Sequence, residues 1–376
     1  MALARRPLRF EQLEDKRLLA GDVTVAVVHG ALVITGDELG NQIAISSGAE
    51  PGEYLIQGLE GTVLHLAGED GAGESELLVT GVRHGIHVAL QEGDDAVSLT
   101  DARVHGNVVI DTGAGEDHVS VGLAPAATTD LLLAETIADD SNDLAGGVAI
   151  GGSLVIRTGE HNDTVHLGGQ DEGNPELSEF STDGNSIRPS LRVGRNLVIG
   201  LGDGEDHLAL NAAHVGVATV VNGGQDADWI NLSHARTKVL TLLGGGGEFN
   251  DAVSLNHVYA DVAGIGTGQG SDQVEIVDSA FGILGVRTGG GDDTLAIGNT
   301  RARLAILLGG EGSQDTWNDL GGNQFGHQIV LGFELPSASE QQEPPVGIEP
   351  IQAVSGPVIA SGQGISSRLA NRLRAR

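Results

Sequence analysis

An aspartate returns at nearly fixed intervals along this chain, and each time it closes the same short phrase. The series is Asp95, Asp117, Asp163, Asp206, Asp228, Asp251, Asp272, Asp293 and Asp315. Neighbours lie about 22 residues apart, except across Asp117–Asp163 and Asp163–Asp206, where the gap doubles. The clear copies read Gly113-x-Gly115-x-Asp117, Gly202-x-Gly204-x-Asp206, Gly268-x-Gly270-x-Asp272 and Gly289-x-Gly291-x-Asp293. Around Asp206, Leu197 and Ile199 alternate with polar or small residues before the glycine bend, and Leu208 and Leu210 do so after it. That pattern reads strand, tight acidic turn, strand. One such unit has a single apolar face and cannot bury it alone, so the fold is a stack of units.

The register repeats from copy to copy. Apolar residues stand two and four positions after the aspartate, as in Val97 and Leu99, Val119 and Val121, Val253 and Leu255. Others stand seven before it: Val88, Ile110, Ile156, Ile199, Val221, Ile265, Val286 and Leu308. A further position, thirteen before, is filled by Val82, Val104, Val193 and Val215, which makes three short strands per coil. A coil of about 22 residues built this way fits an all-β, parallel β-helix, each strand paired with its counterpart one rung away at ~4.8 Å. Parallel crossovers favour right-handed winding. A β-propeller would need repeats of ~40–50 residues. Each long gap is expected to hide a degenerate coil, Asp140 with Leu131 and Leu133 marking the first. Asn174-Pro175 and the polar stretch Ser178–Asn185 read as an extruded loop in the second. Asn41 takes the aspartate's place in an earlier unit. Architecture and pattern together resemble the right-handed parallel β-helices of secreted and surface proteins.

The ends differ from the middle. Residues 1–19 form a basic leader, in which Arg5, Arg6, Arg9, Lys16 and Arg17 alternate with apolar residues at the spacing of a short amphipathic helix. Leu13, Glu14, Leu18 and Leu19 match a Leu-Glu-Pro-Arg-x-Leu-Leu signature, with Asp15 and Lys16 where it has Pro and Arg. This segment resembles the N-terminal sorting signature of large extracellular proteins of planctomycete bacteria. The resemblance implies an extracellular or cell-surface location. The solenoid is expected over residues 20–335, with an N-terminal cap at 20–70, and residues 22–70 and 316–335 cover the sheet edges at its two ends. Residues 336–376 read as a flexible Pro/Ser-rich linker and a basic tail carrying Arg368, Arg372, Arg374 and Arg376.

Charge then limits the partners. The formal net charge is −32, and the middle of the chain holds 11 basic against 46 acidic residues, so an acidic rod lies between two basic ends. That balance argues against nucleic acid. It suits cations, and it also keeps a glycine-rich β protein soluble. With no cysteine, disulfides and thiolate metal sites are excluded. No apolar run reaches the ~18 residues of a transmembrane helix.

The repeat aspartates are the candidate metal ligands, all nine from Asp95 to Asp315. Their turns resemble half of the calcium-binding nonapeptide Gly-Gly-x-Gly-x-Asp-x-apolar-x, which implies Ca2+ held by hard oxygen ligands. Two copies depart from it, with His161 and Asp226 in place of the second glycine. In the simpler reading the aspartate accepts N–H groups of its own turn and binds no ion. His118 and His207 each follow a repeat aspartate and, with degenerate coils between them, are expected to stand far apart. Trp229 is expected to face outward as a lone stacking surface. The insertions at 122–147 and 168–190 are the places for a local site. The function implied is a non-catalytic structural or adhesive β-solenoid that meets a cell-surface or matrix component, polysaccharide or protein. The alternative is a carbohydrate-active β-helix enzyme acting on acidic polysaccharide.

Overall fold

The computed structural model describes residues 21–69, 71–122, 147–169 and 190–334. These contain no helix; 28 strands join one hydrogen-bonded sheet system, nearly all in parallel pairs. Among the described residues no helix is therefore long and apolar enough to cross a membrane. The leader, the C-terminal tail and the centres of both insertions lie outside the described residues, Asp140, Leu131 and Leu133 among them.

Each full coil has three faces. Face I precedes the glycine turn, as in Val108–Ala114, Leu154–Glu160 and Asn196–Asp203. Face II follows the aspartate, as in His118–Val121 and Thr164–Leu167. Face III follows a second corner, as in Val148–Ile150 and Leu191–Val193. Residues stack on their equivalents: Ile110 on Ile156 and then Ile199, Val119 on Val165 and then Leu208. Alternation sends every second side chain inward, so the columns two and four after the aspartate and seven before it, with Val82, Val104, Val193 and Val215 thirteen before it, join in one continuous buried core. Several coils shift by a residue or two: in that of Asp251 the buried residue is Leu242, nine before, and in those of Asp272 and Asp293 it is Ala260 and Phe281, twelve before, with Tyr259 and Ala280 turned out. The last coil departs as well. One more residue lies between its strand and Asp315, so Leu307 is buried and Leu308 is turned outward.

The long gaps hold no extra coils. Strand His118–Val121 pairs directly with Thr164–Leu167, and that strand directly with His207–Leu210. The surplus residues are single insertions, and both leave at the same corner on adjacent rungs, after Gly122 and Gly168. At this corner most rungs place a residue with left-handed backbone, including Ala212 (φ 45°), His234 (52°), His257 (54°) and Asn299 (46°). Where the insertions depart, the left-handed residue comes one position earlier and is glycine, Gly122 and Gly168, both with φ of 81°.

The N-terminal end departs from the coil pattern in order to close it. Strand Asp22–Val28 runs antiparallel to Ala31–Thr35, and Gln42–Ser47 runs antiparallel to Tyr54–Gly58. Glu76–Val79 adds a further antiparallel partner. These hairpins lay Val23, Val25, Ile56 and Leu64 over the first rung. At the other end, Thr316–Gly321 and Gln324–Leu331 continue the parallel stack, with a register shift at Ile297/Gly298. They form one more rung, and its outer edge carries the exposed side chains of Leu320, Ile329 and Leu331.

Candidate functional site: a buried aspartate ladder

The glycine turn creates a local problem that the aspartate solves. Gly202 takes φ of 125° and Gly204 143°, so the chain reverses within a few residues. Glycine is required there for a second reason: a Cβ on Gly202 would lie 1.8 Å from the Gly159 carbonyl oxygen of the rung beside it. After so tight a bend, the next backbone N–H points along the axis with no carbonyl facing it. The aspartate side chain of the following rung supplies the acceptor.

All nine candidate residues share this arrangement in one column. Asp95 N–H donates to Asp117 Oδ1 at 2.9 Å, Asp117 to Asp163 at 2.9 Å, and Asp163 to Asp206 at 2.7 Å. The series runs on through Asp228, Asp251, Asp272 and Asp293 to Asp315, at 2.8 to 3.1 Å. Asn41 heads the column: its N–H reaches Asp95 Oδ1 at 2.6 Å while its own Nδ2 donates to the Leu39 carbonyl. The aspartate carbonyls continue the sheet, Asp163 accepting from His207 N–H and Asp206 from Trp229 N–H. A short side chain ending in an acceptor is what this geometry needs; Asn41, at the end of the column, donates its N–H but receives none on its Oδ1.

These carboxyls are interior groups, 0 to 4% exposed. Bonding runs between rungs and not within the aspartate's own turn. Burial raises their pKa values: Asp95, Asp163 and Asp228 to about 8, Asp206 and Asp251 to about 7, and Asp117 and Asp272 to about 6. Asp293 is raised by the same cause. Neighbouring carboxyls add to the rise, as Asp206 and Asp251 do on either side of Asp228, while the N–H from the preceding rung restrains it. In eight of the nine, all but Asp251, Oδ2 is buried without a hydrogen-bond partner in the described structure.

A second column stands beside the first, five residues before the aspartate. Thr158 Oγ1 donates to the Leu201 carbonyl at 2.7 Å, Thr267 to that of Thr288 at 2.6 Å, and Thr288 to that of Gly309 at 2.6 Å. Each hydroxyl has one proton, and here it goes to a carbonyl. Beside the aspartates, these threonines act against the rise of the carboxyl pKa values, Thr158 on Asp163 and Thr267 on Asp272. At neutral pH the raised values keep Asp95, Asp163 and Asp228 largely protonated, while Asp117 and Asp272 are largely ionised.

Calcium takes six to eight oxygens at 2.3–2.6 Å. Each rung offers one carboxyl oxygen not already engaged, and among the described residues no group of three or more His, Asp or Glu is placed to hold a metal ion. The column alone is therefore a poor donor set, and any ion there would draw on turn carbonyls.

The other candidates stand closer together than their spacing in sequence suggested. One rung, that of Thr164, separates His118 from His207. His166 packs edge-on against His118 with centroids 5.3 Å apart, a contact the doubled gap concealed. Trp229 is half-buried, and its ring stacks on His207 at 4.6 Å and 5°. Burial lowers the pKa of His118 to about 4, and those of His166 and His207 also fall. A separate shallow groove of about 1,100 Å³ lies on face I over Gly266 and Gly268, edged by Leu243, Arg287 and Glu248.

No family model, curated protein or solved structure matches this chain.

Proposed function

We propose that the protein is a non-catalytic scaffold, a rigid acidic β-solenoid of the extracellular space or cell surface that presents its faces and inserted segments to matrix or surface partners. One observation carries the reading: the nine repeat carboxyls, the most regularly spaced chemistry in the sequence, are turned inward and spent on holding rung to rung. What they build is length and stiffness. The test against a carbohydrate-active enzyme is direct. Purified protein is incubated with a panel of acidic polysaccharides, and no new reducing ends or unsaturated products are expected. Turnover that disappears when a single cluster of side chains is substituted would overturn the scaffold reading.

Calcium belongs to this proposal as a stabiliser of the Asp95–Asp315 column. An ion bound at Oδ2 must displace the protons held there, so binding would release protons and strengthen with pH. Calcium should then raise the melting temperature more than magnesium does at matched ionic strength, and more at pH 8 than at pH 5. Equal effects of the two ions would assign the column to structure alone.

A further inference from the structure

The acidic rod has one basic side. Face III carries outward-pointing Arg103, Arg192, His214, Arg236 and Arg301 in a single column, with Ala149, Tyr259 and Ala280 filling the remaining rungs. The corner that follows adds Arg195, Lys238 and Arg303, all exposed. Seven of the 11 basic residues between positions 20 and 335 thus lie on this face and its following corner. From the Arg103 rung to the Gln324 rung, Asp261 is the one carboxylate among the described residues of that surface. Seven rung steps separate Arg103 from Arg301, so the stripe is about 34 Å long at ~4.8 Å per rung.

The opposite charge gathers on the glycine-turn corner, where face I meets face II. That is the one corner face III does not border. Asp94, Glu116, Glu160, Glu205 and Glu311 are exposed along it. Some are fixed in place by rung-to-rung bonds, Asp94 Oδ1 accepting from Glu116 N–H at 3.0 Å and Asp292 Oδ1 from Ser313 N–H at 3.1 Å. The cross-section is therefore polar, with an acidic edge opposite a basic face along the same length of rod.

From this charge pattern we infer that face III is an interface for the glycine-turn edge of a second copy of this chain. Complementarity of sign is half the argument. Spacing is the other half: edge and stripe are built on the same rungs, so two copies carry the same ~4.8 Å ruler and their charges stay in step along the contact. A contact between two different surfaces of the same molecule does not close on itself as a two-fold dimer does. It leaves a free basic face and a free acidic edge at the two sides of every assembly, and copies add laterally. The inference names the partner of the proposed scaffold, and its failure would leave a monomeric scaffold intact.

The experiment is sedimentation velocity on the full chain across a concentration series. At low salt the weight-average sedimentation coefficient should rise with concentration. It should fall to the monomer value near 0.5 M NaCl, where the screening length shrinks to about 4 Å. Reversing the stripe (Arg192→Glu, Arg236→Glu, Arg301→Glu) should weaken association at least about tenfold. Reversing the edge (Glu116→Lys, Glu160→Lys, Glu205→Lys) should do the same. Each variant is checked for native circular dichroism and a cooperative melt. An equimolar mixture of the two variants should associate again, because each presents the surface the other now needs. A monomer at low salt at every concentration would overturn the inference. So would association that stripe reversal leaves unchanged, or a mixture that fails to recover. Retention of a strictly monomeric protein on an immobilised polyuronate, lost on stripe reversal, would assign the face to an anionic polymer instead.

Discussion

An ionisable residue in a β core normally marks a cost, and here it is the fastener. Asp228 Oδ1 accepts from the N–H of Asp206 at 3.1 Å, and its own N–H donates to Asp251 Oδ1 at 2.9 Å. Removing the side chain strands a buried N–H, at a cost of about 1–3 kcal/mol, and leaves a cavity as well. Replacing it with asparagine keeps the acceptor and removes a carboxyl that burial pushes up to about 8. Chemical denaturation at pH 8 should therefore show Asp228→Ala losing roughly 2–4 kcal/mol. Asp228→Asn should be neutral or more stable than the parent under the same conditions.

Within each strand and turn, glycine has two separate uses, and substitution can tell them apart. In the turn column, a Cβ at Gly113, Gly202 or Gly289 would meet a backbone oxygen at 1.8 Å or less, and φ is between 108° and 125°. On the outer surface of face I, a Cβ at Gly264 meets nothing within 4 Å. Gly202→Ala should lower stability by about 3 kcal/mol or more, through clash and left-handed strain combined. Gly264→Thr should be tolerated, or add up to about 1 kcal/mol through strand propensity. Thermal melts of the two variants side by side are the check. This division also explains what could be read in advance. Positions two and four after the aspartate and seven before it were legible because burial imposes a strict alternation on side chains and most coils repeat it; the third column was legible only as far as Val215, beyond which the offset slips. The burial of the aspartate itself was not legible. Charge suggested the outside, and nothing local to Gly202–Asp206 reveals that the missing acceptor comes from a rung 22 residues away. The doubled gaps misled for a related reason: spacing counts residues, and an insertion at Gly122 or Gly168 adds residues without adding a rung.

For the molecule as a whole, the ladder sets how stability follows pH. The unfolded carboxyls titrate near 3.8, whereas in the fold most of the column is raised to between about 6 and about 8. Between these limits the folded state holds more protons than the unfolded one, so stability increases as pH falls. The gain starts as pH drops through about 8 and is complete below about 4. Relief of repulsion among the exposed acids acts in the same direction. Denaturation midpoints should accordingly be higher at pH 5 than at pH 8.5, and substituting asparagine for several ladder aspartates at once should flatten the slope. A midpoint that climbs with pH over this range would contradict carboxyls raised by burial.

Each rung touches only the rungs on either side, and most rungs contain nearly the same length of chain. Pulled from its two ends, such a body should yield by peeling, one turn of thread at a time. A force–extension trace would then be a sawtooth with teeth set by 21 to 23 residues of slack, broken by two long strides of 46 and 43 where the inserted segments pay out. The same regularity that hid the insertions from the eye would measure them with a spring.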